Sequence, residues 1–277
     1  MRGLLAIVGA AVLVGCEGSW LYPVAWPDRT GLRLVATTAD LHIWSEPQRA
    51  ESGLWDPFIE VADLHTAEVL DLLEIQRVER VDVYLHGVCF DPVGAKDCVR
   101  LKGQAAGPDI IDLWFGKGYR RRTDLQLSVL RHEFAHVATA QSNGGCPRYL
   151  LEEGLAEYAR LSGSGPVHDQ DVPGTTLDDL ADALRARDGD WIPLVDVVNT
   201  ADFIRKMGEG TGGLLYAEAG ALAEHLLHVG GLDTYLTLQQ RTCSSNEETF
   251  HAVFRELYGA DLVDIDQALR HATEVWE

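Results

Sequence analysis

Two histidines four residues apart, His132 and His136, stand in the run Leu130–Tyr158, LRHEFAHVATAQSNGGCPRYLLEEGLAEY. On a helix that spacing puts both imidazoles on one face, one turn apart. Glu133 follows His132 directly, about 100° round the helix. It therefore sits beside an ion held by the imidazoles without pointing at it. A carboxylate in that place can take a proton from a water that a metal activates. The bland alternative is a helix with two histidines on its polar face. Gly144-Gly145 stops this helix, and a second is expected from Tyr149 to Leu161. Its Glu-Glu-Gly segment offers a third donor. A catalytic zinc commonly has three protein ligands and one open position. The chain is thus constrained to bring two neighbouring helices face to face.

Around this pair the pattern divides. Before it, LRLVAT, LHIW, Arg80–His86 and Asp109–Phe115 read as strands. Pro57–Leu73 reads as an amphipathic helix, with Ile59, Ala62, Leu70 and Leu73 among its apolar positions. A Thr-x-x-Gln capping box at Thr123 opens the two-histidine helix. Further helices are expected at Leu177–Arg187, Gly213–His228, Leu232–Gln240, Glu247–Leu257 and Asp264–Val275. The fold class is therefore α+β. A small N-terminal mixed sheet with a helix (32–118) precedes a mainly helical lobe (119–277). Asp109–Phe115 has two readings: an edge strand that pairs with substrate backbone, or a core strand with no ligand. The chain has 277 residues, 46% of them hydrophobic, enough for one large or two small domains with a real core. Its formal net charge of −20 excludes a nucleic-acid partner, because phosphates would repel such a surface.

The N-terminus carries its own signal. Met1-Arg2 precedes an apolar run, Leu4–Val14, which is shorter than the about 20 residues a bilayer span requires. A basic start, an apolar centre and small residues describe a secretory signal over residues 1–15. Leu13-Val14-Gly15-Cys16 resembles a bacterial lipobox. That resemblance implies lipid on Cys16 and a membrane as partner, through acyl chains that hold the protein there stably. Glu17 is not the Asp that resembles an inner-membrane retention signal, which favours the outer membrane or cell surface over the periplasmic side. Residues 16–31 then form a tether, and 32–277 the folded domain. Export leaves Cys89, Cys98, Cys146 and Cys243 in an oxidising compartment, where an even number suggests two disulfides. Three connectivities are possible. Closing the Cys89–Cys98 loop is geometrically easy, and that choice leaves Cys146 for Cys243. A thiolate metal site is the competing reading, but the chain has no C-x-x-C.

His-Glu-x-x-His followed by Tyr149-Leu-Leu-Glu-Glu-Gly-Leu-Ala-Glu-Tyr158 resembles the gluzincin metallopeptidases, and its short connection a small bacterial peptidase-MA-like branch. The resemblance covers roughly Asp109 to Leu238. It implies a zincin-like helical lobe, one Zn²⁺, and a peptide or protein substrate. By that match His132, His136 and Glu153 are the ligands and Glu133 is the general base. Glu157, one turn after Glu153, supports a ligand histidine, and Glu152 faces solvent or the rim. LLYAEAGALAEHLLHVGG resembles the later helix of the same group, which makes Tyr216 a candidate oxyanion donor. Tyr216 as a packing residue is the alternative, and His225 and His228 read as packing or surface. A second function also fits: a catalytically idle zinc-binding envelope lipoprotein acting as a binding or scaffold protein. An intact Glu133 counts against it, since a scaffold needs no base.

Overall fold

The structure is a computed structural model that describes residues 29–86, 103–115, 123–144, 148–162, 191–243 and 245–274. The signal, Cys16, most of the tether, Cys89, Cys98, Cys146 and the Leu177–Arg187 helix lie outside the described residues.

The first elements are β1 (Arg33–Thr37) and β2 (Leu41–Ser45), an antiparallel pair. Thr38 closes their turn, its hydroxyl accepting from the Leu41 N–H at 3.0 Å. β2 alternates: Leu41, Ile43 and Ser45 are buried, while His42 and Trp44 are only half-buried. A short turn of helix, α1 (Pro47–Ala50), precedes α2 (Asp56–Leu72). Pro57 suits the first turn of α2, where its missing N–H costs nothing. Phe58, Ala62, Thr66, Val69 and Leu70 recur three and four apart and form the buried face of α2. α2 carries the chain across to β3 (Val81–His86), which runs parallel to β2.

β4 (Gly103–Gly107) and β5 (Ile110–Trp114) complete a five-stranded mixed sheet of order β1-β2-β3-β5-β4. β5 is parallel to β3 and antiparallel to β4, so it lies inside the sheet. Asp109–Phe115 is therefore a core strand, and the edge belongs to β4. Val81, Val83, Leu85, Ile111 and Leu113 point into the core.

Against that face lies α3 (Thr123–Asn143), which touches β4, β5, α2 and α4 (Tyr149–Leu161). α3 begins and ends where the sequence suggests, and Gly144 takes φ 75° beyond its last residue. After a 3₁₀ turn at Leu194–Val197 come α5 (Thr200–Lys206), a π turn (Met207–Thr211) and α6 (Gly212–Thr242). α6 is interrupted at Gly231, whose φ of 74° and ψ of 171° are not helical. The break is where Gly230-Gly231 separates the two expected helices. α7 (Glu247–Tyr258) and α8 (Leu262–Glu274) finish the chain. Asn246 caps α7 by accepting from the Thr249 N–H at 2.8 Å.

The architecture is α+β. One buried core joins the sheet residues Val83 and Ile111 to Phe134, Leu151 and Leu222 of the helices. α4 meets α6 along its length. A Cβ on Gly154 would lie 2.4 Å from the Ala219 carbonyl oxygen, so only glycine permits that approach. No described helix is long and apolar enough to cross a membrane.

Candidate metal centre

His132 and His136 stand one turn apart on α3, their ring centroids 4.8 Å apart. With Glu133 they bring donor atoms within 4.8 Å of one another, a group that could hold a metal ion. α4 supplies a better third donor than Glu133. The two Nε2 atoms are 3.2 Å apart, and Oε2 of Glu153 lies 3.3 Å from that of His132 and 3.4 Å from that of His136. Donors about 2.0–2.1 Å from an ion at tetrahedral angles must lie about 3.3–3.4 Å from each other. The observed triangle has that size. Its atoms are also poorly served by the protein itself. Oε2 of Glu153 is buried without a hydrogen-bond partner, an arrangement that costs free energy unless something else fills the space.

Each imidazole has a carboxylate behind it. Oε1 of Glu157 lies 3.2 Å from Nδ1 of His132, and Oε1 of Glu152 lies 3.5 Å from Nδ1 of His136. Both Nδ1 atoms are buried, and neither contact is aligned as a hydrogen bond. Glu152 therefore does not face solvent: its side chain is 15% exposed and turned to His136. Sequence reasoning rotated it away from Glu153 and overlooked that His136 lies at that angle. The available signal was a carboxylate adjoining a ligand. Glu157 is held in turn by Arg160, whose Nε donates to its Oε2 at 2.6 Å. Nη1 of Arg160 reaches the Ser128 hydroxyl at 3.4 Å, back on α3.

These neighbours set the charges. Burial alone would raise the Glu153 pKa, but His136 and His132 outweigh it and hold it down at about 2. For Glu157 burial again acts upward, and Arg160 and His132 bring the value to about 2. Burial would lower His132, yet Glu153, Glu157 and Glu133 raise it to about 9. His136 is raised well above the ordinary histidine value, its carboxylates overcoming burial. Glu133 is raised chiefly by burial, against the lowering influence of the two histidines.

Glu133 is held from outside its helix. Its Oε2 accepts from the N–H of Ala105, on β4, at 2.7 Å. Nothing in the β4 sequence announces this contact, since the donor is backbone and the partner lies 28 residues away. Arg131, beside the first histidine, is buried and ties three helices together: it donates to the Ala159 carbonyl at 3.0 Å on α4 and pairs with Glu68 on α2.

Tyr216 comes from the start of α6, its ring 6.0 Å from that of His132 and 6.1 Å from that of Phe203. Burial, then Glu153, Glu157 and Glu133, push its pKa well above 10, so the phenol stays a hydrogen-bond donor. His225 is half-buried and His228 exposed, further along α6. Cys243 is disulfide-bonded, and every other cysteine lies outside the described residues. Comparisons with protein-family models, curated proteins and solved structures gave no match to this chain.

Proposed function

We propose that the protein is a zinc-dependent peptidase of the gluzincin type, exported and held at a membrane by lipid on Cys16. The observation that carries the reading is the triangle of Nε2, Nε2 and Oε2, with Glu133 fixed beside it and not needed for ligation. His132, His136 and Glu153 would hold the ion. Two imidazoles and one carboxylate suit zinc, which takes His and Glu in catalytic sites with one position left open. The mixed sheet with its antiparallel edge strand, lying against the helix that bears the histidines, supports a zincin-like lobe.

When bound, zinc supplies Lewis-acid polarisation and brings the pKa of water toward about 7. Glu133 accepts the proton of the attacking water as its oxygen bonds to the peptide carbonyl carbon. The same carboxyl returns that proton to the amine as the C–N bond breaks. Tyr216, kept protonated by its neighbours, donates to the oxygen that gains charge. Glu152 and Glu157 orient the imidazoles. The strand that fits an extended substrate is β4, the edge strand that α3 touches, in place of β5.

The test is hydrolysis of a fluorogenic peptide library by the zinc-loaded full chain. Glu133→Gln should keep wild-type zinc affinity and lose about 10²–10⁴-fold in kcat. Glu153→Ala should lose zinc. Tyr216→Phe should cost about 10²-fold in kcat if the phenol is the donor. Wild-type turnover by Glu133→Gln ends the proposal.

A further inference from the structure

The side chain of Glu133 is gripped from outside its own helix. The Ala105 N–H donates to its Oε2 at 2.7 Å. Two residues earlier on β4, Gly103 leaves room for the rest of the group. A Cβ on Gly103 would stand 2.8 Å from Cγ of Glu133 and 2.9 Å from its Oε1. The same Cβ would stand 2.5 Å from Cγ1 of Val129, one turn earlier on α3. Gly103 and Ala105 pair with Leu113 and Ile111, both buried in the core, so both lie on the face of the sheet that α3 covers.

We propose that Gly103 and the Ala105 N–H form a seat on β4 that orients the Glu133 carboxylate, which makes Gly103 a positioning residue for the reaction. The seat stands on this geometry, while its effect on turnover rests on the peptidase reading. Tying Oε2 to the strand leaves Oε1 to handle the proton. A methyl group at residue 103 would stand under 3.0 Å from both Val129 and Glu133 and would have to displace each of them. Val129 is β-branched and stiff at χ1, and it stands on a helix packed against the sheet. The Glu133 carboxylate ends a chain of rotatable bonds, so it moves first. None of the three atoms nearest that Cβ belongs to His132, His136 or Glu153, so the proposed ligands should stay in place.

The zinc-loaded full chain is compared as wild type, Gly103→Ala, Val129→Ala and the double variant. Gly103→Ala should bind zinc within about twofold of wild type and lose about 10²-fold in kcat with KM nearly unchanged, as a misplacement near 1 Å costs. Val129→Ala should not restore the loss. A further measurement needs neither metal nor turnover. In the metal-free protein the Ala105 amide should exchange with solvent about tenfold faster in Glu133→Ala and in Gly103→Ala than in wild type. Unchanged kcat in Gly103→Ala, rescue by Val129→Ala, or an unchanged Ala105 exchange rate overturns the proposal. If the wild-type chain cleaves no peptide, the peptidase reading fails, and the exchange rates alone decide the seat.

Discussion

Glu133, Glu152, Glu153 and Glu157 crowd two imidazoles, and each carboxylate meets a different neighbour: the Ala105 N–H, His136, both Nε2 atoms, and Arg160 with His132. The metal-free protein should record this in its response to pH. His132 is raised from 6.5 to about 9, so its contribution to stability is complete below pH 6.5 and is lost as pH rises through about 9. Glu153 and Glu157 are lowered from 4.5 to about 2, so theirs is complete above pH 4.5 and is lost as pH falls through about 2. The melting temperature of the metal-free chain should therefore peak between these limits and decline toward pH 9. A melting curve flat from pH 5 to pH 9 would contradict the cluster. Removing either carboxylate behind an imidazole should weaken zinc binding: Glu157→Gln and Glu152→Gln by about 10–100-fold each, read by competition with a chromophoric chelator. The convergence of His132, His136, Glu153 and Glu157 was legible because each helix repeats at a fixed spacing and the connection between the two is short. Glu152 was misjudged because its direction was read relative to Glu153 alone and not to His136.

At the level of elements, the donor set depends on how closely α4 can approach α6. Gly154 adjoins the proposed ligand Glu153 and faces the Ala219 carbonyl, which is backbone and cannot rotate away. Gly154→Ala should therefore push the helices apart, costing about 1–3 kcal/mol in urea unfolding at fixed zinc concentration. Equal midpoints for the two proteins would show that the helices have slack. The sequence revealed β1, β2, β3, β5, α2, α3, α4, the two halves of α6, α7 and α8 within a residue or two, through alternation in β2 and β3, helical periodicity in α4, α7 and α8, and capping or glycine signals at the ends of α3 and α6. It hid β4, since Gly-Gln-Ala-Ala-Gly has low strand propensity and pairs only because β5 lies alongside. The 3₁₀ turn, α5 and the π turn were hidden too, each a turn or two of helix with little periodicity. Gly231 was readable as a break because two glycines end an apolar helix.

Across the whole molecule, the helix bearing Glu153 is pinned at its start by Arg148. Its guanidinium, 5.0 Å above the Phe250 ring, donates to the Val198 carbonyl at 3.1 Å and the Asn246 carbonyl at 3.0 Å. It also reaches Ser245. Arg148→Met keeps the stem but strands these buried oxygens. We expect a loss of about 2–3 kcal/mol in global stability by urea denaturation, with zinc saturating. No change would mean that the C-terminal helices hold without it. Strand order was beyond sequence reasoning, because pairing β3 with β5 and leaving β4 outside depends on contacts between distant segments. The bond from Ala105 to Glu133 crosses that same divide. The proposed donors are written into two consecutive helices, whereas the grip on Glu133 is written into a strand 28 residues earlier. On the peptidase reading, loading and competence are thus encoded separately: a preparation filled with zinc could still be inert, and metal content would be a poor proxy for activity.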